Sequence, residues 1–318
     1  MTAIFYTEES AQRIIDIINE GIYIGMKPMP LFDGTFGVPI DPYYEDYFSG
    51  AKIVTQRQLK ALLIVPPYIP LNYSEYGTVT YTLFSDQNVI VEDGKLFQWK
   101  DTTGGTLFCD QIDSGKRPIY GYGALNGYPV IKFVKENSSY LTFLEKIPKP
   151  ANWTVFLVFR IPDNTIRQGF CGASDVPGNG NRMWGAIFNK DIGSDGQLQA
   201  DGSITSVNSN DVIGSCTTTD PSKTIIDNEW IVVCVSYKDG DGFQRIYADG
   251  IIQATITDPS DCTTNYGVTR EYTIGRPGGY NGIYCEMETV ATIMYSSALT
   301  DANILLISNN LISKYKIL

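Results

Sequence analysis

From Thr78 onward, short runs of β-branched and aromatic residues alternate with clusters of Gly, Asn, Asp and Ser. "TVTYTLF", "YPVIKFV", "SYLTFL", "WTVFLVFRI", "MWGAIF", "EWIVVCVSY", "FQRIYAD", "IIQATIT" and "REYTIG" each have the length and composition of a strand. "KDGDG" at 238–242 and "ADG" at 248–250 supply tight turns, which fold Glu229 to Thr257 into a three-strand meander. No strand-helix-strand spacing occurs. The pattern predicts two antiparallel sheets packed face to face. Near the end, Ile304, Leu305, Ile307, Leu311 and Ile312 recur at helical spacing behind a cap at Thr300 or Ser297. Asp301 is placed to favour the first turn of this helix and Lys314 the last.

The first 77 residues have another texture. Thr7 caps a short amphipathic helix that carries Glu8 and Glu9 in its first turn, then Ala11, Ile14, Ile15 and Ile18, and ends at Gly21. A stretch rich in Pro, Gly and aromatics follows, "MKPMPLFDGTFGVPIDPYYEDYFSG", and a second short helix is predicted in "TQRQLKALLIV" before "PPYIP" stops it. So little periodicity cannot build a core of its own. The segment reads either as a leader or, better, as an arm whose aromatics are covered by another surface. Domains of 1–77 and 78–318 follow.

Composition narrows the chemistry. The 318 residues carry a formal charge of -11, which opposes nonspecific binding to nucleic acid or to an anionic membrane. No run is long and apolar enough to predict membrane insertion. The start lacks the basic, apolar and small-residue regions of a secretory signal, so folding in a cytoplasm is expected. There is no His, so imidazole general bases and ligands are excluded. The six Cys never form C-x-x-C. Cys234 and Cys285 read as small buried hydrophobes, while Cys216 and Cys262, in similar Thr-rich loops, are a possible pair that a reducing compartment disfavours.

Several stretches together resemble a known family. "DGKLFQWKDTTGG" (93–105), Gln111, "RPIY" (117–120), "NGYPVIKF" (126–133) and "SYLTF" (139–143) are similar to the opening half of laminin-G-like domains of the concanavalin A-like lectin/glucanase superfamily. "NEWIVVCVSYKDGDGFQRIYADG" resembles their central meander, and "IGRPGGYNG" with "YSSALTDANILLISNNLISKY" their closing strand and helix. The resemblance implies an all-β, two-sheet jelly-roll sandwich, with an extended, partly helical arm before it and a short helix after it. Such jelly rolls behind an aromatic anchoring segment and without a secretion signal resemble accessory proteins of bacteriophage virions. The expectation is a noncatalytic virion surface protein, such as a head fibre, decoration protein or tail-associated component. It would be made in the host cytoplasm, form a homo-oligomer, and bind other virion proteins through its arm and host glycans through its sandwich. The alternatives are a bacterial lectin-like adhesin and a glycoside hydrolase on the same fold.

Three groups of residues bear on that choice. Glu286 and Glu288 lie two apart on one strand, as a carboxylate pair would. The superfamily's hydrolases carry E-x-D-x-x-E, whereas the frame here has Glu288 in the middle and Ala291 at the end, so no catalytic residue is assigned and both acids are expected on a solvated face. Asp239, Asp241 and Asp249 are oxygen ligands a calcium ion could use, but they also suit polar hairpin turns, and no cofactor is assigned. For glycan binding, Tyr122, Arg276, Tyr280 and Asn281 stand in Gly-rich loops suited to a sandwich rim, with "GRPGGYNG" the favoured loop.

Overall fold

The computed structural model describes residues 68–166, 168–174, 183–189, 204–207, 215–217, 225–239, 242–257, 269–276 and 283–317, and four short strands nearer the start. The backbone divides into two compact units, Met1–Ile69 with Ile312–Leu318, and Pro70–Leu311. In the first, β1 (Ala3–Phe5) pairs antiparallel with β4 (Lys52–Val54), and β2 (Met29–Pro30) with β3 (Phe36–Gly37). The helices expected after Thr7 and in "TQRQLKALLIV" lie outside the described residues.

The second unit is an all-β, two-sheet antiparallel sandwich. One sheet runs β5 (Val79–Phe84), β22 (Met287–Tyr295), β13 (Trp153–Arg160), β18 (Ile231–Lys238), β19 (Phe243–Ala248) and β20 (Ile251–Thr257). Beside the first residues of β22 it continues into β10 (Tyr128–Phe133) and β9 (Ile119–Leu125). The other sheet runs β6 (Val89–Glu92), β7 (Lys95–Lys100), β8 (Phe108–Asp110), β11 (Leu141–Phe143), β21 (Thr269–Ile274), β14 (Gln168–Ser174), β15 (Met183–Asn189), β16 (Ile204–Val207) and β17 (Ser215–Thr217). A two-residue strand, β12 (Ile147–Pro148), pairs with the start of β21. The single pair Lys95↔Ile119 links the sheets along one side.

Alternation along the strands fills the space between the sheets. Val155, Leu157 and Phe159 of β13 join Val233 and Val235 of β18, Tyr272 of β21 and Trp99 of β7 in one buried cluster. Burying each such side chain contributes about 1.5–3 kcal/mol. The alternate residues Phe156, Val158, Ile293 and Tyr295 are also buried, outside that cluster, so β13 and β22 are covered on both faces. This explains the nearly unbroken apolar run of β13. The first turn of the helix α1 (Asp301–Tyr315) stands on that outer side, where Tyr247 of β19 donates to Asp301 at 2.8 Å.

Three two-residue turns share one solution. Asp93-Gly94, Asn126-Gly127 and Asp249-Gly250 all have positive φ at both positions. That geometry matches the twist of the strands they join. Asp249 also accepts from the Val232 amide at 3.1 Å, which ties the β19–β20 turn back to β18.

At α1, Thr300 is the cap, its hydroxyl accepting from the Asn303 amide at 3.2 Å. Ser297 instead offers its carbonyl to the Thr154 hydroxyl at 3.0 Å. Ile304, Ile307 and Leu311 form the buried face. Leu305 does not belong to it. It lies 44% exposed, because the buried stripe runs through positions 304, 307, 308 and 311. No described helix is long and apolar enough to cross a membrane.

Candidate functional site

Gly275 and Cys285, on either side of residues 277–282, are joined. The Cys285 amide donates to the Gly275 carbonyl at 3.0 Å, and the Gly275 amide to the Phe170 carbonyl at 2.6 Å. Gly275 has φ +94°, and a Cβ there would stand 2.3 Å from the Phe133 ring and 2.9 Å from the Ser139 carbonyl. Only glycine fits this corner. It delivers Arg276 onto the Tyr140 ring, with the guanidinium carbon 3.8 Å from the ring centroid and 5.9 Å from that of Tyr284. The two tyrosine rings are 6.2 Å apart. Glu271 of β21 closes the group, 3.4 Å from an Arg276 nitrogen.

The members differ in exposure. The Arg276 side chain is almost wholly buried, whereas Glu271, Tyr140 and Tyr284 are each half-buried. Arg276 therefore acts chiefly as a post that fixes two tyrosines and a carboxylate beside Gly275. The half-open rings and the acid are the surfaces left for a ligand. Sequence reasoning named Arg276 but missed Tyr140, Tyr284 and Glu271. Tyr284 stands two residues after "GRPGGYNG", and Tyr140 stands in the quoted "SYLTF", but their convergence depends on pairing of β11 with β21. Tyr122 is in β9 with its side chain outside the description, and Tyr280 and Asn281 lie outside the described residues.

The acidic candidates are not brought together as a metal site. Asp239 and Asp249 sit at opposite ends of the six-residue β19, roughly 20 Å apart at about 3.3 Å per residue. Asp241 is outside the described residues. The Asp239 amide is held by the Asn152 side chain at 3.0 Å, and Asp249 is used in its turn. Among the described residues no cluster of three metal-ligating side chains occurs.

The strand pattern expects Glu286 and Glu288 on a solvated face, but neither is simply solvated. Each is only 24% exposed. Glu286 accepts from the Lys135 amide at 2.9 Å and faces Lys132 at 3.5 Å. Glu288 takes Nε of Arg160 at 2.8 Å and a second guanidinium nitrogen at 2.7 Å, and Arg160 lies over the Trp230 ring. The cause is β22's position between β10 and β13, whose Lys132 and Arg160 both stand in register with Glu288.

Cys109, Cys171, Cys234 and Cys285 are buried free thiols. Burial pushes each thiol upward, that of Cys171 to about 12, so none is poised as a nucleophile near neutrality. Cys216 lies in β17 with its side chain outside the description, and Cys262 is outside the described residues.

The Pro70–Leu311 unit thus has the all-β sandwich class expected of it. No family model matches the chain. No curated protein matches it in sequence. Among solved structures, it is similar to domain 4 of AbnA, an extracellular GH43 arabinanase from Geobacillus stearothermophilus in complex with arabinotriose. That likeness has a TM-score of 0.49 at 16% identity, over 73% of this chain and 99% of that one. It is also similar to the receptor-binding domain of botulinum neurotoxin D, with a TM-score of 0.49 at 11% identity over 74% of this chain and 53% of that one. The ligand-binding domain of serotype D in complex with N-acetylneuraminic acid gives 0.49 at 12%, over 74% and 51%. The chain spans about half the length of the neurotoxin domains.

Proposed function

We propose that this protein is a noncatalytic glycan-binding component of a bacteriophage virion surface, of laminin-G-like kind, as a head fibre, decoration or tail-associated protein. The observation that carries the binding part is the rim cluster. Tyr140 and Tyr284, held by Arg276 beside the half-exposed side chain of Glu271, offer apolar ring surface next to hydrogen-bonding groups, which is how a neutral polyhydroxyl ligand is gripped. The noncatalytic part is supported by Glu286 and Glu288, each committed to a basic partner. The virion part is supported by the aromatic, Pro-rich texture of residues 1–77, read as an arm that docks to capsid or tail proteins and lets the sandwich project as a homo-oligomer.

A glycan array with the full chain tests the binding part. Tyr140→Ala and Tyr284→Ala are each expected to weaken the strongest array ligand about tenfold or more, while Glu288→Gln leaves binding unchanged. Equal binding by both tyrosine variants would sink the rim site. Hydrolysis of any bound glycan that Glu288→Gln abolished would replace this reading with a glycoside hydrolase. Removal of residues 1–77 is expected to abolish incorporation into particles, and incorporation at full occupancy would refute the docking arm.

A further inference from the structure

The structure carries a second concavity, away from the rim, between the end of β18, the start of β19 and the connection from β22 into α1. Its volume is about 670 Å³, inside the range of about 300–1,000 Å³ in which small-molecule pockets fall. Its chemistry is set by Asn152, Lys238, Phe243, Arg245, Ser297 and Asp301.

Among these the donors prevail. Lys238 is exposed and makes no ion pair with a described residue. The Asn152 side chain uses its oxygen to accept from the Asp239 amide, which leaves its amide hydrogens for a ligand. Arg245 spends one terminal nitrogen on Asp301 at 2.7 Å and lays its guanidinium 4.0 Å over the Phe243 ring. Its Nε is shielded from solvent without a hydrogen-bond partner, and so is the Ser297 hydroxyl. Shielded donors without partners are costly unless something accepts from them. Among the described lining residues one acid stands against these, Asp301, whose charge is already shared between Arg245 and the Tyr247 hydroxyl.

We infer that this groove binds a short acidic saccharide: an anionic group, carboxylate or phosphate, between Lys238 and Arg245, and a sugar body against Asn152 and Ser297. The inference rests on the glycan-binding reading only for the sugar body. The charge preference comes from the groove alone.

Calorimetric titration of the full chain at low salt separates the possibilities, with glucuronate, glucose 1-phosphate, glucose and inorganic phosphate as probes. At least one acidic sugar is expected to bind tenfold or more tighter than both glucose and inorganic phosphate. Lys238→Gln, an exposed change that leaves the fold intact, is expected to weaken that ligand about fivefold. Asp301→Asn, which keeps the shape of the Arg245 contact but removes the opposing charge, is expected to tighten it several-fold, and added salt to weaken it. Two opposite responses from two neighbours cannot arise from a loss of folding. Glucose binding as tightly as the acids, inorganic phosphate binding as tightly as the acidic sugars, or affinities untouched by Lys238→Gln would each overturn the inference. The Tyr140→Ala variant keeps the two sites apart: acid binding that survives it and is lost in Lys238→Gln supports the groove even where the rim fails.

Discussion

At Gly275 one hydrogen atom decides whether the rim can exist. A Cβ there meets ring carbon and carbonyl oxygen at distances no side chain tolerates, and φ is in the left-handed region. Gly275→Ala is expected to destabilise the sandwich by about 3 kcal/mol or more, seen as a lowered midpoint in chemical denaturation, and to weaken rim ligands in whatever fraction stays folded. Glu288→Gln removes a partly exposed ion pair and is expected to cost only about 1 kcal/mol by the same measurement. The four buried thiols should resist alkylation in native protein at pH 8 and react on unfolding, which mass spectrometry of the labelled peptides would show residue by residue. Rapid native labelling of Cys109, Cys171, Cys234 or Cys285 would contradict the packing that surrounds them.

Elements whose signal is local were legible in the sequence. The meander from Ile231 to Thr257 follows from alternation and from Asp249-Gly250, and the start of α1 follows from a hydroxyl at Thr300. Thr300→Ala is expected to lower stability by about 1 kcal/mol, measured by thermal unfolding. Elements without a local signal were missed. β14, "QGFCGAS", has too many small residues to alternate, and takes its strand conformation from β15 and β21 on either side. Leu305 was assigned to the buried face of α1 because helical spacing marks which residues are apolar, not how wide a stripe its neighbours cover. The same limit hid the site: Tyr140, Glu271 and Tyr284 are remote in sequence and are joined by sheet pairing and by Arg276. The pairing of Glu288 with Arg160 was hidden likewise, since nothing near either residue announces the other.

For the whole molecule, the buried acids of weak strength set an alkaline limit. The thiols of Cys109, Cys171, Cys234 and Cys285 are raised above their ordinary value of 9.0 by burial, and the phenols of Tyr81 and Tyr272 above 10.0. A folded value above the unfolded one favours the protonated, folded form. This contribution is therefore complete below about pH 9 and is lost as pH rises toward about 12, where Cys171 titrates. Each group adds a slope of up to about 1.4 kcal/mol per pH unit. The denaturant midpoint is thus expected to be lower at pH 10.5 than at pH 7.5, and an equal midpoint would contradict this assignment. A different consequence follows from the place of β22. Its nine residues pair with β5, β10 and β13, elements that precede it by more than a hundred residues. While the chain is being synthesised, those earlier strands must wait beside an empty slot until residue 295 has left the ribosome. Contacts so distant in sequence make for slow folding, and waiting edges invite association with other nascent chains. A messenger truncated before Met287 should therefore yield aggregates rather than a smaller sandwich.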